Sequence, residues 1–154
     1  RWYCKAADQD FADAQFSLGS MYGESGGFFE DYVKSVHWYV KAADQGHVRA
    51  QFNLGILYQE GEEVAQDVNE AVRWFRKAAE QGFPSAQYCL GILYEKGKGV
   101  ARDVNEAVRW LHKSADQGYF SAQFSLGAMY FCHEGVSQDL EKALFWVSAA
   151  EAHD

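Results

Sequence analysis

Cys132, His133 and Glu134 stand consecutively, three side chains of metal-ligating type. Neighbouring residues at a helix end project in different directions, and no second pair at ligand spacing accompanies them, so no metal is expected. His37, His47, His112 and His153 are scattered, form no visible trio with a Ser or Cys nucleophile, and are expected to be mostly solvated. The stretch "EKGKGV", Glu95 to Val100, invites a phosphate-loop reading. It lacks Gly-Lys-Ser/Thr, follows a helical pattern and not a strand, and has an acidic counterpart, "EGEEV", at Glu60 to Val64. The run Glu60-Gly61-Glu62-Glu63 reads as a solvated loop. Neither a catalytic residue nor a cofactor is expected.

What must position these residues is visible in the bulk properties. The 154 residues suffice for one ordinary domain or a short repeat array, and 48% apolar with 16% aromatic content argues against disorder. The single proline, Pro84, leaves no Pro-rich linker. A formal net charge of −8 opposes nucleic acid and anionic membrane as partners, since both require clustered Lys and Arg. No apolar run approaches the roughly 18 residues needed to span a bilayer. Cys4, Cys89 and Cys132 have no disulfide-framework spacing and suit a reducing compartment such as the cytoplasm. The chain opens on "RWYCKAADQD" and reads as a fragment, which leaves a bacterial-envelope or secreted location open.

The dominant pattern is a period of 36. Trp2, Trp38, Trp74, Trp110 and Trp146 follow it, as do Ala14-Gln15, Ala50-Gln51, Ala86-Gln87 and Ala122-Gln123. Gly19, Gly55, Gly91 and Gly127, the tyrosines 22, 58, 94 and 130, and the aspartates 31, 67, 103 and 139 keep the same step. A fixed period of this size means stacked supersecondary units. Each unit reads as two helices. Helix A places residues such as Ala50, Leu54 and Tyr58 in one apolar sector. Helix B opens on a capping box, Asp67 to Glu70 or Asp103 to Glu106, and ends at Gly46, Gly82 or Gly118. Each Trp is expected to fill the space between neighbouring units, at a cost of about 3–5 kcal/mol if removed.

The phrases "AQFNLGILYQEG" and "AQYCLGILYEKG", each followed by a Val, an Asp and a W-x-x-[KR]-A-A-x-Q-G or near-identical text, resemble the Sel-1-like repeat (SLR) signature. This family is related to tetratricopeptide repeats, and the resemblance covers essentially the whole chain. Ser25, Phe28 and His133 depart from the loop pattern, and "WVSAAEAHD" departs at the end. The resemblance implies an all-α fold, a right-handed α/α superhelical solenoid of antiparallel helix pairs. Residues 1–10 would be a partial repeat of helix B alone, and 11–46, 47–82, 83–118 and 119–154 four full repeats. It also implies a scaffold or adaptor in protein complexes. A Cys-rich branch linked to β-lactam binding or hydrolysis supplies the alternative, although that branch has paired Cys in each repeat and no Ser-x-x-Lys is present here. Self-association through open solenoid ends is a further possibility.

Positions that differ between copies are those stacking does not dictate. On the A helices the free sector holds Asp13, Ser17, Ser20 and Glu24, then Arg49, Asn53, Ile56 and Glu60. It continues through Ser85, Cys89, Ile92 and Lys96 to Ser121, Ser125, Ala128 and Cys132. An aromatic series, Phe16, Phe52, Tyr88 and Phe124, runs beside it, either packing between adjacent A helices or lining a groove. By analogy with tetratricopeptide arrays, this side is concave. Ile56 and Ile92 are expected to face it without a packing role. Four A helices at about 8–10 Å spacing span roughly 30–40 Å. That length accommodates on the order of 10 residues of extended peptide. The expected partner-binding residues are therefore Arg49, Phe52, Asn53, Ile56, Glu60, Ser85, Tyr88, Ile92, Lys96, Phe124 and Ala128.

Overall fold

In the A helices the repeated small residues decide the packing, because a glycine lets a facing side chain come down onto the backbone. A Cβ added at Gly55 would lie 2.5 Å from the Phe75 ring, and one at Gly91 would lie 2.8 Å from Leu111 Cγ. The computed structural model describes residue 7 and residues 11–24, 29–61, 65–132 and 139–151. The described residues form helices and no strand: α1 (Ala12–Glu24), α2 (Phe29–Asp44), α3 (Val48–Glu60), α4 (Val68–Glu80), α5 (Pro84–Lys96), α6 (Val104–Ala115), α7 (Phe120–Cys132) and α8 (Leu140–Glu151). Odd-numbered helices are A and even-numbered ones B. Gly55 faces Phe75 while Gly61 faces Gln66, so the partners run in opposite directions and each A–B pair is antiparallel. The chain forms two compact units, residues 1–78 and 79–154. Of the partial repeat expected at 1–10, only Ala7 is described, helical and buried.

The helix starts follow the sequence in part. Asp67 accepts from the N–H groups of Asn69 and Glu70, and Asp103 from those of Asn105 and Glu106. The reciprocal half of the capping box does not form. The backbone N–H of Asp67 donates to Tyr58 O at 2.9 Å and that of Asp103 to Tyr94 O at 3.0 Å, closing the A–B turn. With that donor engaged, Glu70 and Glu106 pair with Arg73 and Arg109 at 3.2 and 2.8 Å. Asp31 lies inside α2 and pairs with Lys34. Gly46, Gly82 and Gly118 take φ of 87°, 89° and 80°, the left-handed region that ends the B helices.

Successive repeats are joined by the Gln of each Ala-Gln pair. Gln15, Gln51, Gln87 and Gln123 are buried, and each donates through Nε2 to a carbonyl eight residues earlier: Ala7, Ala43, Ala79 and Ala115. These carbonyls lie near helix ends, where backbone acceptors lack helical partners. Gln45 and Gln117 then donate to the Oε1 atoms of Gln15 and Gln87 at 2.7 and 2.9 Å. One cluster gathers Tyr39, Ala42, Ala43, Ala50, Leu54 and Trp74, and another Leu111, Ala115, Leu126, Met129, Tyr130 and Trp146. The indoles thus pack across repeat junctions as expected. Their outer faces are covered by lysines: Lys77 Nζ lies 4.1 Å from the Trp74 ring centre and Lys113 Nζ 4.2 Å from that of Trp110.

Candidate functional site

The sequence division of the A helices into two sectors corresponds in part to a division in burial: Met21 of the repeated sector is exposed, and Tyr22, Leu57, Tyr58 and Tyr94 are half-buried. Ala, Gln, Leu and Gly of the repeated sector are buried in all four helices. In the free sector, Arg49, Glu60, Lys96 and Ala128 are exposed, and Asn53, Ile56, Ser85 and Ile92 are half-buried. The aromatic series packs within its own unit. Phe16 lies 5.7 Å from Tyr39 and stacks on His47 at 4.5 Å, Phe52 lies 5.8 Å from Phe75, and Tyr88 5.5 Å from Tyr119. Phe124 differs, being 57% exposed.

In the first unit the free sector borders a cavity of about 200 Å³ lined by Ser20, Gly23, Ser35, Tyr39, Asn53, Ile56 and Leu57. Three helices build it: α1 supplies Ser20 and Gly23, α2 Ser35 and Tyr39, and α3 the rest. The buried Ser35 hydroxyl donates to Gly19 O at 2.8 Å, and Tyr39 OH donates to Ser20 Oγ at 3.2 Å. No charged side chain lines the space. Asn53 and Ile56 are the expected site residues that meet here. Ser20 belongs to the free sector, whereas Ser35 and Tyr39 come from α2 and Leu57 from the repeated side of α3, none of which the sequence marks as a candidate.

The second unit treats the same place differently. Two periods on from Ser20, Ser35, Tyr39 and Asn53 stand Ile92, Ala107, Leu111 and Ser125. Ile92 packs against the cluster of Leu111, Leu126 and Met129. This corrects the expectation that Ile92 is free of packing duty: it packs against an aliphatic cluster that includes Leu111. Tyr88 packs against the same cluster. Phe124 and Ala128 line an open apolar cavity of about 510 Å³ between α7 and α8, with Phe131, Leu140, Leu144 and Val147. Leu144 is 72% exposed.

Among the described residues, no Asp, Glu, His, Cys, Lys or Arg lines the first cavity, and Cys132 and Glu151 border the second. His47 and His112 are not the solvated residues expected. His47 Nδ1 accepts from Ala50 N–H at the start of α3, and Nε2 lies 3.3 Å from Asp13. His112 Nε2 lies 3.1 Å from Tyr130 OH, with the ring edge-on to Trp146. Burial lowers both imidazoles below their ordinary 6.5, against the opposing pull of Asp13 and Asp116 respectively. Cys89 and Cys132 are free thiols, and burial pushes Cys89 up to about 11, leaving it protonated at neutral pH. Among the described residues, no His, Cys, Asp and Glu group could hold a metal ion, and no helix is long and apolar enough to cross a membrane. His133 and Glu134, the neighbours of Cys132, and also His153 and Cys4 lie outside the described residues.

The Sel1 repeat model matches residues 1–11, 12–47, 48–83, 84–119 and 120–153. A solved structure of a protective antigen present in uropathogenic Escherichia coli strains, displaying an SLR fold, is 38% identical. It superposes with a TM-score of 0.93 over 99% of this chain and 32% of that one. A Sel1 repeat protein from Oxalobacter formigenes is also 38% identical, with a TM-score of 0.88 over 99% of this chain and 61% of that one. Cysteine-rich protein B of Helicobacter pylori is 25% identical, with a TM-score of 0.61 over 79% of this chain and 86% of that one. The chain thus spans less than two thirds of the first two proteins. No curated protein matches the sequence.

Proposed function

Since the chain belongs to the Sel1-repeat family, whose members commonly serve as protein-interaction scaffolds, we propose that it binds a partner segment along the free sector of its A helices. The observation that carries this reading is the split between two sectors of one helix. The Ala, Gln, Leu and Gly that repeat are buried, and the positions that vary are exposed or half-buried, bordering the cavity beside Asn53 and Ile56 in the first unit. Arg49, Phe52, Asn53, Ile56 and Glu60 are the contributing residues of α3, with Ser85, Tyr88, Ile92 and Lys96 on α5 and Phe124 and Ala128 on α7. Residues 1–154 are read as a single repeat array without catalytic activity. The protonated Cys89 and the absence of Ser-x-x-Lys argue against an acyl-transfer enzyme, and incubation with a β-lactam should leave the mass unchanged.

The test is selection from displayed random peptides of about 12 residues, slightly longer than the roughly 10 expected from ordinary helix spacing. A selected peptide should lose binding to Ile56→Asp while circular dichroism stays unchanged. Ile92→Asp is the poorer probe, because Ile92 packs against the core. Retained binding to Ile56→Asp rules out the free sector as the seat. A second reading, self-association, is favoured by the exposed apolar side chains of α7 and α8. Light scattering across concentrations distinguishes it: a mass that stays monomeric removes it.

A further inference from the structure

We infer that the cavity between α1, α2 and α3 receives one neutral, hydrogen-bonding side chain of the bound segment, an amide or a hydroxyl, and so sets the specificity of the array. This rests on the free sector being the binding face. Three features of the cavity choose the occupant. First, the lining is Ser20, Gly23, Ser35, Tyr39, Asn53, Ile56 and Leu57, without a charge. A carboxylate or ammonium entering it would lose water and meet no counter-ion.

Second, the polar groups there are incompletely used. Tyr39 OH donates to Ser20 Oγ, which leaves the Ser20 hydroxyl hydrogen available. The Asn53 amide, half-buried, has no hydrogen-bond partner among the described residues. A purely apolar occupant would cover these groups without satisfying them, which is unfavourable. An amide or hydroxyl both donates and accepts, matching Asn53 and the Ser20–Tyr39 pair, while Ile56 and Leu57 contact its aliphatic part. Third, about 200 Å³ is room for a side chain and not for a drug-sized ligand, for which sites run to about 300–1,000 Å³.

The molecule also contains the control. At the equivalent place in the second unit, Ile92, Ala107 and Leu111 replace Ser20, Ser35 and Tyr39, and Ile92 packs into the cluster. The repeat therefore tolerates an aliphatic lining at this place, and the first unit keeps a polar one.

The experiment uses peptides of about 12 residues selected by display on the wild-type chain, with affinities measured by fluorescence anisotropy. Selected peptides should share one position restricted to Asn, Gln, Ser or Thr, and alanine there should weaken binding tenfold or more. Ser20→Ile should weaken the same peptide tenfold or more, and the alanine substitution should then cost nothing further. Asn53→Leu provides a second variant, and thermal melts establish that both fold. Peptides restricted to a charged or purely apolar residue, or undiminished binding to Ser20→Ile, overturn the cavity assignment and leave the binding face standing. If no peptide is selected at all, the binding face fails, and the cavity assignment with it.

Discussion

Ser20 and Ile92 occupy the same phase of the repeat, yet one borders a cavity and the other packs against a cluster. The surrounding exchanges go together. Where Ser20 has Tyr39 and Asn53 as neighbours, Ile92 has Leu111, and Ser125 stands in place of Asn53. The first unit thus borders its recess with a hydroxyl pair, where the second sets an isoleucine against an aliphatic cluster. Stacking requires the small residues and the Gln bridge of every repeat. It does not require the cavity, so a difference at this place is free to serve recognition.

The largest effect expected from breaking this comparison lies on the aliphatic side. Leu111, fully buried, should cost about 2–5 kcal/mol when cut to Ala, as read by urea denaturation. Ile56→Ala, at the polar side, should cost less than about 1 kcal/mol. Equal losses would mean that the two units are packed alike. Next comes Ile92→Ser, which rebuilds the polar lining in the second unit and should destabilise by about 2 kcal/mol. Its reciprocal, Ser20→Ile, should shift stability by no more than about 1 kcal/mol in either direction, since the repeat already accepts Ile at this phase.

A smaller effect acts in both units through pH. His47 in the first and His112 in the second are both harder to protonate in the folded chain than in the unfolded one, whose ordinary value is 6.5. Below about pH 6.5 the unfolded chain binds more protons, so stability falls with pH until the folded imidazoles also protonate. Thermal midpoints should drop between pH 7.5 and about 5.5, a window set by that ordinary imidazole value. His112→Gln and His47→Asn should each narrow the drop, the latter while keeping a side chain able to cap α3. A drop of the same size in both variants would place the titration elsewhere. Smallest of all, Lys113→Ala should cost below about 1 kcal/mol through loss of its position over Trp110.

Much of this architecture is legible in the period of 36. The Trp, Gly and Asp series mark indoles at junctions, close helix approaches and the starts of α4 and α6, because each role demands a particular residue type at a fixed place. The Gln role is not legible from spacing: its acceptor is a backbone carbonyl, which any sequence provides, so only the bond from Gln51 to Ala43 reveals it. The candidate site is half legible. Asn53 and Ile56 stand out because they vary, but Ser35, Tyr39 and Leu57 share phases with ordinary packing residues. The clue was available in the paired exchange of Ser20 with Ile92 and Tyr39 with Leu111, which side-by-side copies contain and a reading of single helices misses. The packing of Ile92 is hidden for a related reason: its identity with Ile56 in the sequence masks the difference in what each borders.

The most direct measurement is backbone amide chemical-shift mapping of the intact chain with a display-selected peptide. Perturbations should centre on Ser20, Tyr39, Asn53 and Ile56 and vanish in Ser20→Ile. Perturbations confined to α7 and α8, around Phe124, Leu140 and Leu144, would contradict the account.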